Sequence, residues 1–471
     1  MAWYITKSTK VHALQALSFG LHNRGYGTPA PKGAAICCSF SICDMSVATL
    51  LSEWYIFAMA KLSEILRERG YVNQHSSETL EEITDGPKRT VYLGVDPTAD
   101  SIHVGNLVVY MLLRRFADAG HRIILVIGGG TGLIGDPKPD VERPLLDMTE
   151  VQARAEKLAS QAEKLLGGTK LTVVNNNDWL GSLELIPFLR DVGKYFTVNS
   201  LIKKDAISAR LKSEDGISYT EFAYPLLQAF DFWHLYKEEK CDVQIGGSDQ
   251  WGNIVAGVEL IRRKENKTAY ALTVPIITDK STGKKFGKSE GNAVWLDAEK
   301  TSPFHFYQFW LNASDESVGD YLKLFTLLED AEIGAVMQMH GNDASKRHAQ
   351  RLLAREVTKL VHGAEESQKA EEVSAVLFGD ADVSSLEKAA IATLITAAPS
   401  YKVQVGDGIV EILVGSQLAS SKREARQFLS EGAVTLGTQA VDEKKVLEDG
   451  DFIKKIALLR RGRCAVCVLT I

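Results

Sequence analysis

The sequence is short of the features that mark several common protein classes. Six cysteines in 471 residues, at 37, 38, 43, 241, 464 and 467, form no paired framework, which excludes a disulfide-stapled scaffold and makes a reducing compartment the expectation. Cys464-x-x-Cys467 has no second pair and no histidines nearby, so strand packing is expected of it rather than zinc. Long apolar runs are missing. The stretch Ser46–Ala60 is interrupted by Glu53 and is too short to span a bilayer. An excess of positive charge is missing as well. A net charge of −6 argues against a wholesale electrostatic nucleic-acid binder and confines any RNA contact to local patches. No internal repeat and no low-complexity tract is present.

What is there is the composition of a soluble globular protein, 45% hydrophobic and 24% charged, in a chain long enough for two or three domains. Residues 1–58 read differently from the rest, with Lys7, Lys10, Arg24 and Lys32 against only Asp44 and Glu53. We read them as an extension outside the main fold, with Met59 as an alternative start. Their low acid content hints at an organellar transit peptide, for which a single arginine is poor.

From residue 59 the pattern alternates. Helix is expected over 60–70, 105–119, 149–166, 221–236 and 252–263. Strand is expected over 90–96, 122–127, 171–175, 243–245 and 272–277. The fully apolar run Arg122–Ile127 suits a buried parallel sheet. This alternation predicts an α/β fold with a doubly wound parallel sheet over 59–297. Helical periodicity alone follows over 303–312, 318–328, 333–340 and 344–361, so an all-helical domain is expected over 298–400, with 366–401 transitional and turn-rich. Residues 401–471 read as a small α/β module. Over 402–471 there are eleven Lys/Arg and nine Asp/Glu, about +2 where the rest of the chain is about −8, which is the sign RNA contact needs.

Several motifs carry chemistry. Asp96-Pro97-Thr98-Ala99-Asp100-Ser101-Ile102-His103-Val104-Gly105-Asn106 joins a strand to a helix, and a helix N-terminus favours phosphate. Gly94 and Gly105 let a flat base approach the backbone. Lys285-Phe286-Gly287-Lys288-Ser289 lies in a loop rich in Gly, Lys, Ser and Thr, with two ammonium groups able to neutralise a departing pyrophosphate. Taken alone, the first is a capped helix and the second a solvated loop. Gly128-Gly129-Gly130-Thr131-Gly132-Leu133-Ile134-Gly135 contains G-x-G-x-x-G after a strand. Asp136-Pro137 and the lack of an acidic residue about 20 positions on argue against a dinucleotide cradle and for a glycine-lined wall beside a small ligand. Tyr224, Gln228 and Asp231 fall on one helical face, either as a half-exposed stripe or, converging with Tyr92 and Asp136, as an amino-acid pocket. Gln244-Ile245-Gly246-Gly247-Ser248-Asp249-Gln250-Trp251-Gly252-Asn253 is a second strand-to-helix turn. Its acid and amides suit ribose hydroxyls and an amino or carboxylate group, or simply a tight turn.

Together the 96–106 and 285–289 segments resemble the HIGH and KMSKS signatures of class I aminoacyl-tRNA synthetases. With Tyr92-x-Gly94-x-Asp96, Gly135-Asp136-Pro137, the 224/228/231 helix and 244–253, the chain from about residue 59 onward resembles bacterial-type tyrosyl-tRNA synthetases, organellar forms included. Tryptophanyl-tRNA synthetases are the nearest relatives to exclude, and the Tyr92/Asp231 pair and the basic tail favour tyrosine.

The resemblance implies a Rossmann-like catalytic domain, a helical anticodon-region domain and a C-terminal S4-like RNA-binding domain. Its partners are L-tyrosine, ATP with Mg²⁺, tRNA-Tyr and a second copy in a homodimer, with no protein-bound metal, no membrane and no editing domain. Tyr92 and Asp231 would read the phenol. Asp136, Tyr224 and Gln228 would hold the α-ammonium, and Gln250 would lie by the carboxylate. Thr98, His103, Asn106, Arg143, Lys285 and Lys288 would act on the phosphates. Gly94, Asp96, Gly105, Gly247, Asp249, Lys288 and Ser289 would line the ATP site. Lys422, Arg423 and Arg426, in a segment resembling the S4 module, would contact RNA. The chain departs from the family at Asn106, where a second histidine is usual, and over 136–143. That loop is one residue shorter than usual, stiffened by Pro139, with Lys138 its only lysine. The implied compartment is the cytoplasm, or a mitochondrial matrix or plastid if residues 1–58 are a transit peptide. An oxidoreductase built on the 130–135 glycines and a non-catalytic RNA-binding protein are the competing classes.

Overall fold

A computed structural model describes residues 60–137, 147–214, 216–283, 286–289, 292–379, 381–462 and 465–471. The expectations for residues 1–58, and for Lys138, Arg143 and Lys285, lie outside these.

A six-stranded sheet forms the first half. Its strands are β1 (Gln74–His75), β2 (Thr90–Val95), β3 (Arg122–Ile127), β4 (Leu171–Asn175), β5 (Cys241–Gly247) and β6 (Tyr270–Val274). Their spatial order is β1-β6-β5-β2-β3-β4. All pairings are parallel except that of β1 with β6. The five parallel strands therefore run 3-2-1-4-5, the Rossmann arrangement, in which the order reverses at β2. β2 and β3 are nearly continuous apolar runs because helices cover both faces.

Those helices include α1 (Leu62–Glu68), α2 (Val104–Asp118), α3 (Met148–Leu165), α4 (Tyr219–Glu239) and α5 (Trp251–Glu265). His103, Asp147 and Ser218 cap α2, α3 and α4 by accepting backbone N–H groups in the first turn. A short antiparallel pair, β7 (Lys288–Ser289) with β8 (Asn292–Ala293), follows β6.

Helices α6 (Pro303–Leu311), α7 (Asp315–Phe325), α8 (Asp330–Asn342), α9 (His348–His362), α10 (Ala364–Phe378) and α11 (Lys388–Ala397) come next. One apolar core runs from the sheet into this helical region, joining Val104, Leu125 and Ile245 to Trp310, Phe325 and Leu353. Arg69 and Tyr71, just beyond α1, fasten it further. The Tyr71 hydroxyl donates to the Leu324 carbonyl, and Arg69 donates to the Thr326 and Leu328 carbonyls.

The reading of 366–401 as transitional is corrected. α10 and α11 are regular helices whose Val373, Val376, Leu377, Ile391 and Leu394 pack in a separate core with Phe304, Ile456, Leu458 and Val468. The remaining residues build a five-stranded sheet, β11-β10-β12-β13-β9, from β9 (Ser400–Lys402), β10 (Val434–Leu436), β11 (Gln439–Ala440), β12 (Ile456–Arg461) and β13 (Ala465–Thr470). Helices α12 (Ile409–Gly415) and α13 (Lys422–Ser430) pack on it. Cys467 is buried there, as expected of strand packing, while Cys464 lies outside the described residues. No described helix is long and apolar enough to cross a membrane.

Two glycines give a test of the packing. A Cβ at Gly257 in α5 would lie 2.8 Å from Phe232 Cδ1 in α4, so Gly257→Ala is expected to lose about 1–3 kcal/mol of unfolding free energy in urea. Gly334 in α8 faces open space, and Gly334→Ala should gain about 0.5–1 kcal/mol.

Candidate active site

The order reversal at β2 leaves a crevice at the carboxyl ends of β2 and β5, where ligands bind in open parallel sheets. β2 delivers Gly94 and Asp96 to it, and β5 delivers Gly247 and the turn Ser248–Gln250. Gly94 and Asp249 are exposed at the rim. A Cβ on Gly94 would touch only the edge of Tyr92, so that backbone is open to a flat ligand.

The two signature segments meet here through their backbones. The Val104 N–H donates to the Val294 carbonyl (2.9 Å) and the Leu296 N–H to the Ile102 carbonyl (2.9 Å). Gly287, at φ +92°, lies so close that a Cβ on it would be 2.8 Å from the Gly105 nitrogen. A Cβ on Gly105 would lie 2.8 Å from His103 Cε1 and 3.1 Å from the Phe286 oxygen. Both glycines are therefore required by close approach. His103 Nδ1 accepts the Gly105 N–H at 3.0 Å, which in the neutral ring puts the proton on Nε2. Asn106 is exposed in the first turn of α2, and Thr98 is exposed on the preceding turn. Lys288 and Ser289 form β7, which follows Gly287 directly. Phe286 sits in an aromatic box of Phe309, Trp310, Tyr321 and Phe325, with centroids 4.6–5.3 Å away.

Deeper in, the pocket residues converge. Asp231 is 4% exposed, and its carboxylate accepts Asn176 Nδ2 at 2.9 Å and Trp179 Nε1 at 2.7 Å. Burial pushes its carboxyl up to about 7, against the pull of these two donors. Tyr92 is 1% exposed, and its hydroxyl has no hydrogen-bond partner among the described residues. Its phenol is pushed well above its ordinary range by burial and then by the Asp231 charge. The Tyr224 hydroxyl donates to Asp96 Oδ2 (2.8 Å), while Asp96 Oδ1 accepts the Thr131 hydroxyl (2.7 Å). Asp136 accepts Gln250 Nε2 at 2.8 Å and Asn253 Nδ2 at 3.1 Å. Gln228 Oε1 and Gln244 Oε1 are buried without partners among the described residues. A buried Tyr hydroxyl and two buried amide oxygens without a protein partner there are groups that a ligand can satisfy.

Sequence reasoning missed the supporting roles of Asn176, Trp179, the Thr131 hydroxyl and Phe286, and offered Asn253 only as part of the 244–253 turn. The run Asn175-Asn176-Asn177 directly after a strand was the available signal for the first. The glycine-lined wall is corrected in part. A Cβ on Gly128 would strike Asp96, and one on Gly129 would strike Asn175, so these glycines seat site side chains instead of facing a ligand. Lys422, Arg423 and Arg426 lie on α13, far along the chain from this crevice. All three are exposed, with Lys422 bonded to Glu411 (2.7 Å).

The comparisons with known proteins agree with this geometry. Residues 84–379 match the family model for class I tRNA synthetases (W and Y), and residues 390–469 match the tyrosine--tRNA ligase SYY-like C-terminal domain. The crevice thus belongs to a class I aminoacyl-tRNA synthetase. The tyrosine--tRNA ligase of Leuconostoc mesenteroides is 46% identical over 411 residues, 85% of this chain and 97% of that protein. That of Lactococcus lactis subsp. cremoris is 45% identical over 415 residues, 86% and 98%. The C-terminally truncated mitochondrial tyrosyl-tRNA synthetase of Aspergillus nidulans superposes with a TM-score of 0.61 at 31% identity, covering 70% of this chain and 97% of that one. The chain belongs to the bacterial-type tyrosyl-tRNA synthetase family and is a tyrosine--tRNA ligase.

Because Gly105 touches both His103 and the Phe286 carbonyl, Gly105→Ala is expected to lower steady-state aminoacylation at least about tenfold. The thermal midpoint should stay within a few degrees of the parent protein, as measured by calorimetry.

Proposed function

We propose that the enzyme works in two steps without a covalent enzyme intermediate. The tyrosine carboxylate attacks the α-phosphate of MgATP, pyrophosphate leaves, and the terminal adenosine of tRNA-Tyr takes the tyrosyl group. Positioning and electrostatic stabilisation of the departing phosphates supply the rate. Thr98, His103, Asn106, Arg143, Lys285 and Lys288 face the phosphates. Gly94, Asp96, Gly105, Gly247, Asp249 and Ser289 line the nucleotide site. Mg²⁺ enters as part of the substrate.

Asp136, Tyr224 and Gln228 take the α-ammonium, with Gln250 by the carboxylate. Tyr92 and Asp231 take the phenolic hydroxyl. The observation that carries this last assignment is the unpartnered Tyr92 hydroxyl in the electrostatic field of the buried Asp231 carboxylate. Two groups built for a hydroxyl would be left unmatched by phenylalanine, so no editing domain is needed. This enzyme class is itself the standard illustration of that rule.

We further propose the division into a catalytic part (59–297), a helical anticodon region (298–400) and an S4-like module (401–471) whose Lys422, Arg423 and Arg426 meet tRNA phosphates. The enzyme acts as a homodimer. Leu185, Ile186 and Val198 are 66%, 71% and 62% exposed and Tyr219 is 72% exposed, all in the segment between β4 and the start of α4, and large exposed apolar side chains suit a partner surface. The compartment is the cytoplasm, or an organelle if residues 1–58 direct import.

ATP–pyrophosphate exchange with all twenty amino acids tests the reading: tyrosine alone should support it. Asp231→Ala should reduce tyrosine-dependent exchange at least about a hundredfold, and unchanged exchange would refute the pocket assignment. The carboxyl of Asp231, ionised above about 7 and protonated below, accepts a phenol best when charged. Tyrosine binding should therefore weaken about tenfold between pH 8 and pH 6, releasing a proton near pH 7. A tyrosine dissociation constant that is flat over that range, by fluorescence titration, would contradict it.

A further inference from the structure

Lys204 lies just ahead of a short helix, Asp205–Arg210, and is half-buried against the first turn of α5. Its ammonium donates to the Gly252 carbonyl at 2.6 Å and to Asn253 Oδ1 at 3.1 Å. The other end of that same amide, Asn253 Nδ2, donates to Asp136 Oδ1 at 3.1 Å. Gln250 Nε2 takes Asp136 Oδ2 at 2.8 Å, and Gln250 Oε1 lies 3.5 Å from Asn253 Nδ2. The chain of contacts is therefore lysine, amide, carboxylate.

The chemistry of the ends fixes the middle. An ammonium has donors only and an ionised carboxylate has acceptors only, so the amide between them has one orientation: oxygen to Lys204, nitrogen to Asp136. Remove the ammonium and the oxygen end loses its anchor, so the amide is held only through its nitrogen and the carboxylate it contacts is less firmly placed. The lysine does this from one residue away. A lysine bonded directly to Asp136 would compete with an incoming ammonium for the same oxygens. Held behind Asn253, it orients the carboxylate without itself taking a place on the carboxylate oxygens.

The mounting of Lys204 is itself rigid. The helix that follows it is tied down by Arg210, whose guanidinium bonds Glu221 Oε1 at 2.9 Å, with both side chains almost wholly buried. Arg210 also donates to the Gly216 carbonyl at 3.0 Å. Burial lowers the ammonium of Lys204 to about 8, and the Asp136 charge acts against that fall.

We infer that Lys204 is a positioning residue for the amino-acid ammonium: through Asn253 it sets the Asp136 carboxylate that receives the α-ammonium of tyrosine. The inference rests on the proposed role of Asp136, and the test separates the two. Two competitive inhibitors of tyrosine-dependent pyrophosphate exchange serve as probes in the full-length enzyme. Tyramine keeps the ammonium and lacks the carboxylate; 3-(4-hydroxyphenyl)propionate lacks the ammonium.

Lys204→Met should raise the tyrosine KM and the tyramine Ki about tenfold, with kcat within about threefold and the propionate Ki unchanged. Lys204→Arg, which keeps a donor, should restore both to within about threefold. In an Asn253→Ala background Lys204→Met should add nothing, since the lysine acts through that amide. Equal losses for both inhibitors, or none, would overturn the inference, as would full additivity with Asn253→Ala. If Lys204→Met does not fold, Lys204→Leu, which also lacks a donor, gives the same comparison. Asp136→Asn is the control for the underlying reading. If it fails to distinguish tyramine from the propionate, the ammonium assignment falls. If it distinguishes them and Lys204→Met does not, only the role of Lys204 falls.

Discussion

The site depends first on a topological constraint. A right-handed connection sends the strands after β2 to one side and, once the chain returns, those after β4 to the other, so β2 ends between two strands whose connections diverge. The space left at its carboxyl end cannot be filled by a crossover. Gly94, Asp96 and the 247–250 turn arrive there because the strands that carry them are neighbours, although about 150 residues separate them in sequence. The hydrogen bonds of Val104 and Leu296 then bring in the segment after β8, which sets Gly287 against Gly105.

Inside the crevice, polarity is supplied by neutral amides and rings more than by opposite charges. Asp231 accepts the Asn176 amide and the Trp179 indole, and among the contacts of Asp136 are the amides of Gln250 and Asn253. Trp179, which bonds Asp231, is itself stacked on His234 at 4.4 Å and 21°. A buried carboxylate neutralised by arginine would have little left to offer a ligand. One held, like Asp231, by a neutral amide and an indole has no counter-charge from them, at a cost in stability that shows in the upward displacement of its carboxyl. The unmatched Tyr92, Gln228 and Gln244 atoms add to that cost. The surrounding core is large enough to carry it.

Much of this was legible in the sequence, for identifiable reasons. β2 and β3 were read nearly to their ends because strands buried on both faces are apolar throughout, and β4, a partly exposed edge strand, was read from its β-branched run Thr172–Val174. The glycines and the histidine of the two signature segments stand out because close backbone approach admits few other residues. What was lost follows from the same physics. α10 buries Ala370, Val373, Val376 and Leu377 on one face, but Glu, Gln and Lys on the other made the segment read as polar. β12 is a buried strand, Ile456–Arg461, whose partners were not apparent from local pattern. Asn176, Trp179 and Asn253 could not be assigned, since an amide or indole declares its role only through what lies across from it, and here that is a carboxylate 52 to 117 residues away in the chain.

Phe286 gives the arrangement a mechanical consequence. Its ring is wedged among four aromatic side chains that all belong to α6 and α7, while its neighbours in sequence are Lys285 on one side and Gly287-Lys288 on the other. A large ring in such a box resists sliding, and the glycine beside it is pressed against Gly105. The segment therefore couples two parts of the protein: a tilt of α6 or α7 would be passed through the Phe286 ring to the Gly287–Gly105 contact at the crevice without any change in the sheet.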